Sequence, residues 1–70
     1  MLKHANPPKQ CDLCEESITT EFSDARVLIG GQRRWANVCP LCAQGGHAKY
    51  GTGQGQRYVR KGQFFVKVQG

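Results

Sequence analysis

Beyond Asp24 this chain has no acidic residue. All five carboxylates, Asp12, Glu15, Glu16, Glu21 and Asp24, lie between residues 12 and 24, where there is no Lys or Arg. Eight of the ten basic residues follow: Arg26, Arg33, Arg34, Lys49, Arg57, Arg60, Lys61 and Lys67. Catalysis by paired carboxylates therefore has no material in the last two thirds of the chain. There is also no Ser–His–Asp set, so the expectation is a protein that is not an enzyme. No stretch of about 20 apolar residues offers a membrane span. Residues 1–8, Met-Leu-Lys-His-Ala-Asn-Pro-Pro, lack the apolar run of a signal peptide, so the expected compartment is a reducing cytoplasm. Hydrophobic residues make up 39% of 70 positions, short of the usual range of about 45–50%, and so small a domain needs a staple.

Four cysteines supply it. Cys11-Asp12-Leu13-Cys14 and Cys39-Pro40-Leu41-Cys42 are two Cys-x-x-Cys turns, and each can present two sulfurs on one side of the backbone. Zn²⁺ takes four such ligands at tetrahedral corners, with Zn–S near 2.3 Å, so Cys11, Cys14, Cys39 and Cys42 are expected to hold one structural zinc ion. Metal binding of this kind contributes about 10–16 kcal/mol, enough to decide whether so short a chain folds. Two disulfides fit the compartment poorly. A rubredoxin-like iron site would want Gly-Tyr after the first turn, where Glu15-Glu16 stands. A thioredoxin-like redox pair needs a βαβ context. With four sulfurs bound, no position stays open for water or substrate. His47, five residues after Cys42, reads as a helix-end or loop residue beside the site rather than a ligand, and His4 carries no specific role.

The local pattern makes residues 1–10 a flexible arm and 11–70 one mainly β domain. Within the domain, 11–44 is a zinc module, 45–57 a glycine-rich loop and 58–70 a terminal hairpin. Ile18–Phe22 and Ala25–Ile29 read as two short strands. Gly30-Gly31 marks a turn, with Gln32 still in the loop, and Arg33–Val38 returns as the partner strand. Pro40 suits the first turn of a short helix through Gln44, stopped by Gly45-Gly46. Tyr58–Arg60 and Gln63–Val68 make the terminal hairpin, with Phe64, Val66 and Val68 on its apolar face.

A knuckle, a hairpin and a second Cys-x-x-Cys resemble a zinc ribbon or treble-clef finger, and the short helix favours the treble clef. Cys-Asp-Leu-Cys, Ile18 to Phe22, Trp-Ala-Asn-Val-Cys-Pro-Leu-Cys and the Gly51–Tyr58 stretch are also similar to small uncharacterised zinc-finger proteins of bacteriophages. The resemblance spans residues 11–58. It implies a phage origin and an accessory role in the host cytoplasm, and it carries no known activity.

Gly46 and Gly51 are spaced like the outer glycines of a phosphate loop, but the Lys that should precede Thr52 is missing. The stretch reads as a linker, or as a loop lying along a phosphate backbone. Basic and aromatic residues interleave at Arg33-Arg34-Trp35, Lys49-Tyr50, Arg57-Tyr58-Val59-Arg60-Lys61 and Phe64-Phe65-Val66-Lys67. Single-strand binders combine these two residue classes. The expected nucleic-acid contacts are Arg33, Arg34, Lys49, Tyr50, Arg57, Tyr58, Arg60 and Lys61, with Trp35 in the core and Tyr50 exposed. The expected function is binding of DNA or RNA through its phosphates, with little sequence choice. The alternative is a protein-binding module that inhibits or redirects a host nucleic-acid-processing enzyme such as RNA polymerase, a nuclease or a defence complex.

Overall fold

The structure is a computed structural model that describes the backbone of Lys3 and His4 and all of residues 7–70. The chain runs β1 (Lys3–His4), β2 (Glu21–Ile29), β3 (Gln32–Val38), α1 (Pro40–Gly45), β4 (Gly55–Lys61) and β5 (Phe64–Gln69). One antiparallel sheet holds the strands in the order β1-β5-β4-β2-β3. Its body is the four strands β2 to β5, with two residues of β1 added at one edge. Of the segment expected as an arm, Lys3 and His4 pair with Val66 and Phe65. Residues 1, 2, 5 and 6 lie outside the described residues, and of His4 only the backbone is described.

The β2–β3 hairpin is tighter than expected. Ile29 pairs with Gln32, so Gln32 opens β3 and the loop is Gly30-Gly31 alone. Both glycines have positive φ (59° and 82°), as a two-residue type I′ turn demands. The two strands expected at 18–22 and 25–29 are one continuous strand from Glu21. Ser23-Asp24 looks like a break by propensity. Pairing on both sides, with Val38 and Asn37 of β3 and with Arg57 and Gln56 of β4, overrides that preference.

Alternation along β2 and β3 assigns the two faces of the sheet. Ala25, Val27, Ala36 and Val38 point to one face, where they form a buried cluster with Cys11 and Ala43 and with the flanking Cys39, Cys42 and Ala48. Arg26, Leu28, Arg33 and Trp35 stand on the other. There Trp35 is 52% exposed, which corrects its expected place in the core. The buried face is covered closely by the cysteine turns and α1, and that closeness selects Ala and Val over an indole.

A second core joins the far end of the sheet. Phe22, fully buried, stacks on Tyr58 at 5.0 Å and meets Phe65 edge-on at 5.2 Å. The expected apolar face of β5 is corrected accordingly: Phe65 and Val66 are buried, while Phe64 and Val68 are about half exposed. Both faces of the sheet are covered at this point, so burial there does not follow a period of two.

The glycine-rich segment is pinned rather than slack. Leu28 N–H donates to the Gly46 carbonyl (2.8 Å) and Arg26 N–H to the Gln54 carbonyl (2.9 Å), which continues the edge of β2 beyond its pairing with β4. Gly51 N–H donates to the Gly55 carbonyl at 2.9 Å, and Gly55 N–H donates back at 3.1 Å. Residues 55–57 already belong to β4.

Candidate metal centre

The first cysteine turn sits at the tip of a short fold-back. Ile18 N–H donates to the Lys9 carbonyl (2.9 Å), Gln10 bridges Ser17, and Cys11 N–H donates to the Glu16 carbonyl (2.9 Å). Glu15 closes the turn with φ 63°, a left-handed backbone held by its N–H bond to the Cys11 carbonyl. Leu13 N–H points at Cys11 Sγ (3.4 Å), the kind of amide contact that supports a thiolate.

The second turn is the start of α1. Cys39 is the extended N-cap residue, Pro40 takes the first helical position, and Cys42 follows within the first turn. The helix ends in a Schellman motif. Ala48 N–H donates to the Ala43 carbonyl (2.9 Å), His47 N–H donates to the Gln44 carbonyl (3.1 Å), and His47 sits at φ 52°. His47 is thus a helix-end residue and stands apart from the cysteine group.

These local structures converge. The Sγ atoms of Cys11, Cys14, Cys39 and Cys42 all lie within 4.8 Å of one another, and Cys14 and Cys39 are 3.7 Å apart. A tetrahedron with metal–sulfur bonds of about 2.3 Å has sulfur–sulfur edges of about 3.8 Å. A disulfide would require about 2.05 Å, and all four cysteines are free thiols. Cys11 is buried and Cys14 exposed, with Cys39 and Cys42 between.

The electrostatics point the same way. Burial raises the Cys11 thiol, but hydrogen bonds from the backbone of Cys14, Cys39 and Leu13 outweigh it and bring the group to about 6. Cys42 is pushed well up, by burial and then by the neighbouring thiols and the Cys11 charge. One thiolate forms readily and then opposes the next. A cation at the centre removes that opposition and lets all four ionise. The cluster is a metal-ion site, closed on all four sides by protein sulfur.

Comparison with protein-family models, with curated proteins and with solved structures found no match.

Six of the eight residues expected to touch nucleic acid have partners within the fold. Arg33 turns Nη1 onto the carbonyls of Arg26 (3.1 Å), Gly46 (3.3 Å) and His47 (2.7 Å). Arg34 bonds Gln32 (3.0 Å) and remains exposed. Arg57 pairs with Glu21 at 2.9 Å, and Arg60 donates to the Gly62 and Thr19 carbonyls. Tyr50, expected as the exposed aromatic, is half-buried with its hydroxyl 2.7 Å from that of the buried Ser23. Tyr58 is stacked on Phe22, and burial raises its phenol, with a further push from the Asp24 charge. Lys49 and Lys61 are exposed.

Sequence reasoning missed Arg26 and Gln54. With Arg33 and Lys49 they line a cleft of about 280 Å³. Arg26 is the cross-strand neighbour of Trp35. The signal was the alternation Ala25, Val27, Ile29, which forces Arg26 and Leu28 outward. Among the described residues no helix is long and apolar enough to cross a membrane.

Proposed function

We propose that this protein is a structural-zinc module of treble-clef type that binds nucleic acid through phosphate contacts with little sequence choice. The order of knuckle, β-hairpin and helix-borne second cysteine pair supports the treble clef. The all-sulfur tetrahedral donor set supports zinc over harder divalent ions. The ion's part is structural: Cys11, Cys14, Cys39 and Cys42 fill its coordination, and it holds the knuckle against α1.

The observation that carries the nucleic-acid reading is the cleft between Arg26, Arg33, Lys49 and Gln54, which has three cations and no acid in its lining. It opens beside the exposed face of β2 and β3. Asp24 is the acid that register places on that face, next to Tyr58 rather than in the cleft. The resemblance to phage zinc-finger proteins adds a setting, the cytoplasm of an infected bacterium.

The test is retention on mixed-sequence DNA and RNA across a salt series. Affinity should fall linearly in log–log form as salt rises. No retention at low salt, or a flat response, rejects the reading.

A second reading, docking on a host protein, is favoured by the outer edge of β3. Arg26–Trp35 and Leu28–Arg33 are non-hydrogen-bonded pairs, because Arg26 and Leu28 give their N–H groups to the loop at 46–54. The backbone groups of Arg33 and Trp35 therefore face outward, where a partner strand can add. Capture of a host protein that survives nuclease treatment, and is lost on placing proline at Trp35, would support it.

A further inference from the structure

We infer that the face of β2 and β3 opposite the metal is a single-strand subsite, in which one base stacks on Trp35 and the adjoining phosphate enters the cleft between Arg26 and Lys49. The inference rests on the nucleic-acid reading above and adds the strand state and the residues that decide it. Three observations carry it.

First, the indole is half exposed on the sheet face opposite the metal-side cluster, and the aromatic core on its own face, Phe22 with Tyr58 and Phe65, sits at the far end of the sheet and leaves it uncovered. A flat aromatic platform recognises a base only when that base is unpaired and turned outward, because a duplex presents edges and phosphates instead. Second, Arg26 belongs to both halves of the subsite. It is the Cα partner of Trp35 in a non-hydrogen-bonded pair, where side chains approach most closely, and it lines the cleft. Base platform and phosphate cradle are therefore adjacent by register. Third, the cleft is preorganised. Arg33 is fixed by carbonyl bonds to Gly46 and His47 of the loop and to Arg26 of β2, which makes it a rigid wall. Among the described residues neither Arg26 nor Lys49 has an acidic partner, so a phosphate displaces no ion pair. A volume of about 280 Å³ is at the small end for ligand pockets and suits one nucleotide unit.

The experiment compares a labelled oligothymidylate with a duplex of mixed sequence by fluorescence anisotropy, on the metal-loaded full chain and on W35A and R26A/K49A. All three substituted side chains are exposed, and unchanged metal content and circular dichroism confirm that each variant is folded. Trp35 is the only tryptophan, so quenching of intrinsic fluorescence reports the stack directly. The single strand should bind at least about tenfold more tightly than the duplex and quench the indole. W35A should lose about 5- to 100-fold on the single strand and little on the duplex. R26A/K49A should flatten the log–log salt slope by about 0.7 per lost phosphate contact. Equal affinity for both forms, absence of quenching, an unaffected W35A or an unchanged salt slope in R26A/K49A overturns the inference and leaves the general phosphate-binding reading intact. No binding of either form at low salt overturns both.

Discussion

Asp12 and Asn37 exchange hydrogen bonds in both directions: Asp12 N–H donates to the Asn37 carbonyl, and Asn37 N–H donates to Asp12 Oδ2, each at 2.8 Å. This clasp fastens the first cysteine turn to the edge of β3, two residues before Cys39. It positions the two halves of the metal site without touching the metal. Asp12→Ala should weaken metal affinity about 10- to 100-fold, as loss of a supporting contact around a metal commonly does. Asp12→Asn keeps an acceptor oxygen and should stay near the parent value. Chelator competition measures both, and equal affinities for Ala and parent would show the clasp to be idle.

His47 should be replaceable by glycine with a gain. Its left-handed backbone at the end of α1 costs a non-glycine residue about 1–2 kcal/mol. His47→Gly should raise the thermal midpoint and leave the metal content at one ion per chain. A fall in metal content would instead identify the imidazole as a ligand.

Gly55 and Gly45 should respond oppositely to alanine. A Cβ at Gly55 would stand 2.5 Å from Ala25 Cβ and 2.6 Å from the Lys49 carbonyl, so backbone must move. Gly55→Ala should cost about 1–3 kcal/mol by overpacking. A Cβ at Gly45 meets nothing within 4 Å, inside a helix, and Gly45→Ala should gain about 0.5–1 kcal/mol. Denaturant midpoints of the two variants decide it.

Removal of the metal should unfold the chain. The buried cluster on the metal side is built from Cys11, Ala25, Val27, Ala36, Val38 and Ala43, mostly small residues. Strong chelation should abolish the β-type circular dichroism spectrum, and metal return should restore it. Cys39→Ser should reproduce the chelated state. A spectrum indifferent to chelation would show that the sheet stands on packing alone.

The metal site was legible because ligand spacing is a covalent property of the chain. Cys11-x-x-Cys14 and Cys39-x-x-Cys42 specify their turns locally, Pro40 specifies the helix start, and Gly30-Gly31 specifies the hairpin. The basic surface was not legible in the same way. Arg33, Arg57 and Arg60 read as free cations in sequence, yet backbone carbonyls and Glu21 occupy them once the chain folds. Trp35 was misplaced because size was weighed above parity: Ala36 and Val38 share the inward face, so their neighbour Trp35 faces out. Tyr50 was misplaced because its partner, Ser23, lies 27 positions away, beyond the reach of any local pattern.

The sheet places the sulfur cluster on one side and the indole on the other, so an ion at the first never meets a molecule at the second. On the proposed nucleic-acid reading, exchanging one bound metal for another, cadmium for cobalt for instance, should then leave oligonucleotide affinity per folded molecule unchanged. Under that reading, metal supply would set how many copies are competent, while each competent copy would grip with the same strength.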